Sequence, residues 1–446
     1  MVNNIKNIYF LGIGGIGMSA LARYFNMQGD KVFGYDKTRT ELTTSLEIEG
    51  ISIHYNDLGK AAIKDIDLVV YTPAIPSDLQ EYIEFQKSGI RMVKRAEILG
   101  EITKDYFTIA VAGTHGKTTI TSMVAHFLNE SGIAVNAFIG GIATNYNSNL
   151  ILNSEAKIMV VEADEFDRSF LHIHPDIAII SSMDADHLDI YDNKDSLKES
   201  FYEFANNIKA GGTLLLHDSL EAPANFNENI AFYGENDGSL NKLKAISVEE
   251  GKQKFSVTNY SDSFEISMAG RHNLLNATAA ISVAKLLELE FNKLHKSVAN
   301  YKGVKRRFEL IAKCDEHILI DDYAHHPTEI KAAIAATKEM YVGKEITGIF
   351  QPHLFSRTRD FANNFAKELS QLDQLVLLDI YPAREKPIEG INSQMLLDMA
   401  TNKKKTLVSK EKLSEYISQN STEVTLMMGA GDINKLVIEI SETLCK

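Results

Sequence analysis

The chain has 446 residues, which at roughly 150 residues per domain suggests about three domains. Apolar residues make up 44% and charged residues 24%, the balance of an ordinary folded protein, so disorder, collagen-like structure and a small disulfide scaffold are excluded. Its 46 basic residues are outnumbered by 60 acidic ones, for a net charge of −14. That argues against a nucleic-acid surface or a membrane surface, and any bound polyanion must be met locally by loops and helix N-termini. No apolar run approaches the roughly 20 residues that span a bilayer. With only 8 prolines and no low-complexity tract, linkers are expected to be short. Cys314 and Cys445 are too few and too distant in sequence for a disulfide framework or a metal cluster, so two reduced thiols in a cytoplasmic protein are expected.

In chain order, IKNIYFLGI reads as a buried strand, MSALARYFNMQ as a helix, and DKVFGYD and DIDLVVYTPAI as further strands. Strands alternating with helices predict a parallel, doubly wound sheet. The pattern restarts near Lys104 with YFTIAVAGTHGKTT, followed by the buried strands AKIMVVEAD, HPDIAIISSM and GGTLLLHD. It restarts again after GVKRRFE, with HILIDDYAHHPTEIKAAIAATKE, KEITGIFQPH, QLVLLDIYPA and EVTLMMGAGD. The expected architecture is α/β throughout: a Rossmann-like N-terminal domain over 1–103, a P-loop central domain over 104–308, and a Rossmann-like C-terminal domain over 309–446.

Gly12-Ile13-Gly14-Gly15-Ile16-Gly17 fits G-x-G-x-x-G between a strand and a helix, and Asp36 ends the second strand. Such glycines let the backbone approach a pyrophosphate at the positive helix N-terminus, and Asp36 can accept from a ribose or sugar hydroxyl. The motif leaves NAD, FAD and a UDP-sugar open. Without a ligand it would be a tight strand-to-helix turn, but the order of strand, glycines, helix and acid favours a nucleotide.

The run Gly113, Thr114, His115, Gly116, Lys117, Thr118, Thr119 follows a strand and opens a helix. It is a P-loop with one departure, since Val111 stands where the first glycine of G-x-x-x-x-G-K-[ST] belongs. Its N–H groups can cradle the phosphates of ATP, Lys117 can reach the β/γ oxygens, and Thr118 can ligate Mg²⁺. Glu162 is the first acid after AKIMVV, and His187 lies in DADHLD after the next strand. Strand ends are where α/β sheets bind ligands, so both are candidate ligands of Mg²⁺, or of Mn²⁺ in its place. Asp184 and Asp189 fit helix N-caps equally well. In the last third, Asp322, His325 and His326 follow HILI, and Arg357 follows FQPH. A lone His-His step is weak support for zinc; a substrate or nucleotide contact suits it better.

Taken together, these segments resemble the Mur ligases, nearly end to end: GIGGIGMSALA, SDLQEY and KRAEIL, then GTHGKTT, VEADEFDRSF, DADHLD, GRHNLLNATAA, GVKRRFE, DDYAHHPTE and FQPHLFSRT. The resemblance implies an ATP-dependent carboxylate–amine ligase of peptidoglycan precursor synthesis. It would join L-alanine to UDP-N-acetylmuramate through an acyl phosphate, in the cytoplasm, as a monomer or weak homodimer. Domain by domain, it implies that Gly12, Gly14, Gly15, Ile16, Gly17 and Asp36 hold the UDP-sugar and that Gly113 to Thr119 hold the triphosphate. Thr118, Glu162 and His187 would hold the metal, with Lys117, Glu162 and His187 catalytic. Asn276 would meet adenine, Arg307 the phosphates, Asp322 the ribose, and His325, His326 and Arg357 the amino acid. Two positions depart from the family pattern. Tyr202 replaces the lysine that some sister ligases carbamylate, so no carbamate is expected, and Leu354 replaces an arginine, leaving that position without a role. The rivals are a sister ligase adding a tripeptide to the same sugar nucleotide, a dinucleotide-dependent oxidoreductase and a non-catalytic nucleotide switch. Glu162 and His187 beside a P-loop would have no purpose in hydride transfer.

Overall fold

A computed structural model describes residues 5–184, 194–249, 252–314, 316–383 and 385–445. Three sheets follow one another along the chain. The first is built from β1 (Asn7–Leu11), β2 (Lys31–Tyr35), β3 (Ser52–His54), β4 (Leu68–Tyr71) and β5 (Arg91–Lys94), in the order β3-β2-β1-β4-β5. Every neighbouring pair is parallel. Helices α1 (Ile16–Met27), α2 (Glu41–Ile48), α3 (Gln80–Ser88) and α4 (Arg95–Thr103) connect the strands. Alternation along β1 explains why its run is wholly apolar: Ile8 and Phe10 join the cluster that holds Leu21 and Phe25 of α1, while Tyr9 and Leu11 join Phe85 of α3 on the opposite face.

The second sheet comprises β6 (Phe107–Ala112), β7 (Val135–Ala143), β8 (Ser148–Ile151), β9 (Ile158–Glu162), β10 (Ile177–Ile180), β11 (Thr213–His217), β12 (Asn229–Gly234), β13 (Asn241–Glu249), β14 (Lys252–Val257) and β15 (Phe264–Ile266). Its order is β15-β14-β13-β12-β11-β10-β6-β9-β7-β8. Its helices are α5 (Lys117–Glu130), α6 (Lys194–Asn206), α7 (Arg271–Leu286) and α8 (Phe291–Ala299). The third sheet runs β16-β17-β21-β18-β19-β20, from β16 (Glu309–Lys313), β17 (Ile318–Asp322), β18 (Ile346–Phe350), β19 (Gln374–Leu377), β20 (Lys404–Leu407) and β21 (Val424–Met428). It carries α9 (Pro327–Met340), α10 (Phe355–Asp360), α11 (Ala362–Leu369), α12 (Ser393–Met399), α13 (Lys410–Asn420) and α14 (Val437–Leu444). Neither of these two sheets is wholly parallel, because β8 runs antiparallel to β7 and β16 antiparallel to β17.

The chain divides into two compact units. One holds the chain up to Ala245 with Ser256–Phe264 and Leu275–Tyr301; the other holds Ile246–Phe255, Glu265–Leu274 and the chain from Lys302 onward. Within the first unit, helix α1 packs against β7 and β8, and α4 against the segment around His172. The Tyr24 ring lies 5.6 Å from that of Phe138, and a Cβ on Gly100 would stand 2.3 Å from the His172 carbonyl, so only glycine permits that approach. The fully buried Asn149 of β8 accepts from Arg23 of α1 (2.5 Å) and donates to the Ile16 carbonyl (2.6 Å).

One expectation is corrected within the second unit. Cys314 and Cys445 are not two separate thiols but a disulfide, with Cα atoms 5.8 Å apart across 131 positions of sequence. Strand β16 and helix α14 pack together, so the residues just beyond them meet. Among the described residues, no helix is long and apolar enough to cross a membrane.

Candidate active site

Strand β6 lies between β10 and β9, so the P-loop that follows it is flanked by the ends of both neighbours. On the β10 side, two serines hold the loop. The Ser182 hydroxyl accepts from His115 N (2.9 Å) and pairs with the Thr114 hydroxyl (2.9 Å), and Ser181 Oγ donates to the His115 carbonyl (2.5 Å). Gly113 has φ +132°, and a Cβ there would stand 2.2 Å from Ser181 Oγ; glycine is required at this position on both counts. Gly116, at φ +82°, opens α5, and a Cβ on it would meet Asn276 Oδ1 at 2.7 Å, so Asn276 of α7 lies directly against the loop. Thr118 and Thr119 are buried in the first turn. Asp184 meets the loop: its N–H donates to Thr114 Oγ1 (3.0 Å) and its carboxylate lies 3.4 Å from His115 Nε2. His187 and Asp189 lie outside the described residues.

On the β9 side stands the acid set. Lys117 Nζ donates to the Gly113 carbonyl (2.8 Å) and to both oxygens of Glu165 (2.9 and 2.8 Å), a carboxylate with no exposed surface. Burial by itself would lower the Lys117 pKa, but the charges of Glu165, Asp164 and Glu162 outweigh it and hold the ammonium above the ordinary lysine value. The lysine is therefore held charged, with its donors on the Gly113 carbonyl and on Glu165. Glu162, the last residue of β9, accepts from Gly140 N of β7 (3.0 Å). A Cβ at Gly140 would stand 2.1 Å from that carboxylate, so the glycine makes room for it. Among the described residues, no group of three or more His, Cys, Asp or Glu side chains forms a metal cage. Sequence reasoning missed Ser181, Ser182, Gly140 and the part played by Glu165. The serines close the strand HPDIAIISSM, where two hydroxyls after an apolar run were the available signal.

The first glycine loop is pinned differently. Gly12 N and Ile13 N both donate to the Tyr35 carbonyl (2.8 and 3.1 Å). Asp36 Oδ2 accepts from Gly14 N (2.8 Å) and Oδ1 from Thr38 N (3.1 Å). The acid thus shapes the loop itself, and a Cβ on Gly14 would collide with it at 2.8 Å. Gly17 leaves space for Arg95 of α4, whose Nη1 would lie 2.9 Å from a Cβ there. Gly15 and Ile16 open α1.

In the second unit, Asp322 at the end of β17 accepts from Phe308 N and Ala324 N, both at 2.7 Å. Burial raises its pKa to about 7, against the opposing charge of Arg307. Arg307 and Arg306 both lie over the Tyr323 ring, at 5.1 and 5.0 Å, in a segment where Arg306 and Phe308 hold positive φ. His326 caps α9 through Nδ1 and packs its ring edge-on to Phe361. His325 lies in the turn between β17 and α9, with its ring 6.0 Å from that of His353. Arg357 sits in α10, whose N-cap, Leu354, adopts φ +67°, a conformation nothing in its sequence announces.

Three family models match in succession: the Mur ligase family catalytic domain over 7–107, the Mur ligase middle domain over 111–284, and the Mur ligase glutamate ligase domain over 306–431. A UDP-N-acetylmuramate–L-alanine ligase of Christiangramia forsetii is 48% identical over 99% of this chain and 98% of its own length. Its namesake from Porphyromonas gingivalis strain W83 is 45% identical over 99% of this chain and all of its own. Among solved structures, the UDP-N-acetylmuramate–alanine ligase MurC of Thermotoga maritima superposes with a TM-score of 0.85 at 29% identity, covering 99% of both chains. With two P-loop flanks, a glycine loop and three successive domain matches in one chain, this protein belongs to the Mur ligase family.

Proposed function

We propose that this enzyme joins L-alanine to the lactyl carboxylate of UDP-N-acetylmuramate at the expense of ATP, in the cytoplasmic synthesis of peptidoglycan precursors, as a monomer or weak homodimer. The observation that carries this reading is Lys117, held by the Gly113 carbonyl and buried Glu165 beside the strand-end acid Glu162. Curated relatives spanning the chain at 40–48% identity carry the alanine ligase name, which favours alanine over a tripeptide.

A carboxylate is a poor acyl donor, because its oxyanion will not leave. Its oxygen attacks the γ-phosphorus of ATP, the bond to ADP breaks, and the acyl phosphate that results is attacked by the amine, which expels phosphate. Lys117 offsets the charge that develops between the β- and γ-phosphates. The N–H groups from Gly113 to Thr119 cradle the triphosphate, with Asn276, Arg307 and Asp322 as further ATP contacts. Gly12, Gly14, Gly15, Ile16, Gly17 and Asp36 hold the UDP-sugar in 1–103, ahead of the ATP domain 104–308. The amino acid meets His325, His326 and Arg357 in 309–446. Thr118 and Glu162 offer a hydroxyl and a carboxylate, hard oxygen donors that suit Mg²⁺, with His187 as the remaining ligand. Bound there, Mg²⁺ would neutralise phosphate charge.

The test is phosphate release by the purified enzyme with each substrate omitted in turn. Release that requires ATP, UDP-N-acetylmuramate and L-alanine together is expected; release without the sugar nucleotide, or only with a tripeptide, overturns the reading. Glu162→Gln should raise the Mg²⁺ concentration giving half-maximal activity, and an unchanged midpoint with lowered stability would remove Glu162 from the metal site.

A further inference from the structure

His325 sits in the short turn between β17 and α9, and its ring is fixed along one edge. Nδ1 lies 2.9 Å from the Tyr323 carbonyl and 3.2 Å from Glu329 Oε2. Both neighbours are acceptors, so Nδ1 carries the hydrogen, and the lone pair of the neutral imidazole is on Nε2. Glu329 is itself held in place: Oε2 accepts from His325 N (3.0 Å) and His326 N (3.2 Å), the N-terminal box of α9, while Oε1 faces Arg307 Nη1 at 4.0 Å. The other groups facing this pair are Arg357 of α10, the Tyr323 ring (5.2 Å), His353 after β18, and His272 of α7 near Glu329. This is a carboxylate–imidazole pair with its basic nitrogen turned away from the carboxylate, in a segment that the ligase reading gives to the amino acid.

We infer that His325 Nε2 accepts a proton from the α-ammonium of the incoming amino acid, and that Glu329 is the positioning residue that fixes the tautomer. The inference rests on the ligase reading. An amino acid arrives as an ammonium, which has no lone pair. Transfer of one N–H proton to Nε2 leaves the amine lone pair to attack the acyl-phosphate carbon. The carbon–oxygen bond to phosphate then breaks with its electron pair, a second nitrogen proton leaves with the phosphate, and His325 returns its proton to solvent. Burial, with Arg357 and Arg307 adding to it against the opposing charge of Glu329, lowers the His325 pKa and keeps the ring neutral and able to accept.

The test compares two nucleophiles on the whole enzyme with ATP, Mg²⁺ and UDP-N-acetylmuramate: L-alanine, and hydroxylamine, whose nitrogen is already neutral near pH 7 and needs no base. His325→Gln should lower alanine ligation about 10²-fold or more, while hydroxamate formation stays within about threefold of wild type. The alanine rate of that variant should recover as pH rises and more amine is neutral. Glu329→Gln keeps the helix-capping box, since glutamine serves at that position, so its melting temperature should hold while alanine ligation falls about tenfold and hydroxamate formation does not. An equal loss with both nucleophiles, or alanine ligation within threefold of wild type in His325→Gln, overturns the inference. If His325→Gln fails to fold, the same nucleophile split in Glu329→Gln decides. Wild type that yields neither product overturns the ligase reading, and this inference with it.

Discussion

Both glycine loops join a buried parallel strand to a helix, yet they are held by opposite means. In the first, the loop N–H of Gly14 is occupied by Asp36, and the Tyr35 carbonyl takes two more donors. A carboxylate inside the loop suits a ligand that presents hydroxyls along with its pyrophosphate. In the second, hydroxyls of Ser181 and Ser182 hold the loop and the acid is displaced onto Lys117, whose ammonium pairs with Glu165. That charge suits transfer of a phosphoryl group rather than binding alone. The glycines set the turn; the charged side chains around it set the chemistry.

Four substitutions would break or sharpen this contrast. Lys117→Ala should lower kcat by about 10³-fold or more while UDP-N-acetylmuramate affinity, measured by calorimetry, stays at the wild-type value. Turnover within tenfold would reduce the second loop to a binding element like the first. Gly113→Ala places a methyl against Ser181 on a backbone that L-residues resist, so it should cost on the order of 3 kcal/mol in denaturant unfolding and abolish ATP binding. Asp36→Asn keeps the shape and removes the charge; it should weaken sugar-nucleotide binding about tenfold with the KM for ATP unchanged, and NADH should not bind either protein. The smallest effect is expected for Ser182→Ala, which removes one hydroxyl from the P-loop. About 1 kcal/mol of stability and a few-fold rise in the KM for ATP should result, with sugar-nucleotide affinity untouched.

The placement of Gly12 to Gly17 and of Gly113 to Thr119 at strand ends was legible because a strand, a glycine turn and a helix are local features, written in consecutive residues. The ordered motifs also carried the family. The hairpin of β7 and β8 was not legible: Gly140 and Gly141 interrupt its apolar run, and NYNSN resembles a surface loop. Yet this hairpin supplies Gly140 to Glu162 and Asn149 to the helix of the first loop.

By itself, the sequence determined the three α/β segments, both glycine turns and the acids that end the strands, since short-range backbone preference and apolar periodicity suffice for each. The tertiary structure decided who partners whom. Because β6 lies between β9 and β10, Lys117 meets Glu165 and the loop meets Ser181 and Ser182; because β16 packs against α14, Cys314 meets Cys445; because α9 begins where β17 ends, Glu329 turns back on His325. Strand order is a long-range property, set by how whole apolar faces are buried, and no stretch of consecutive residues encodes it.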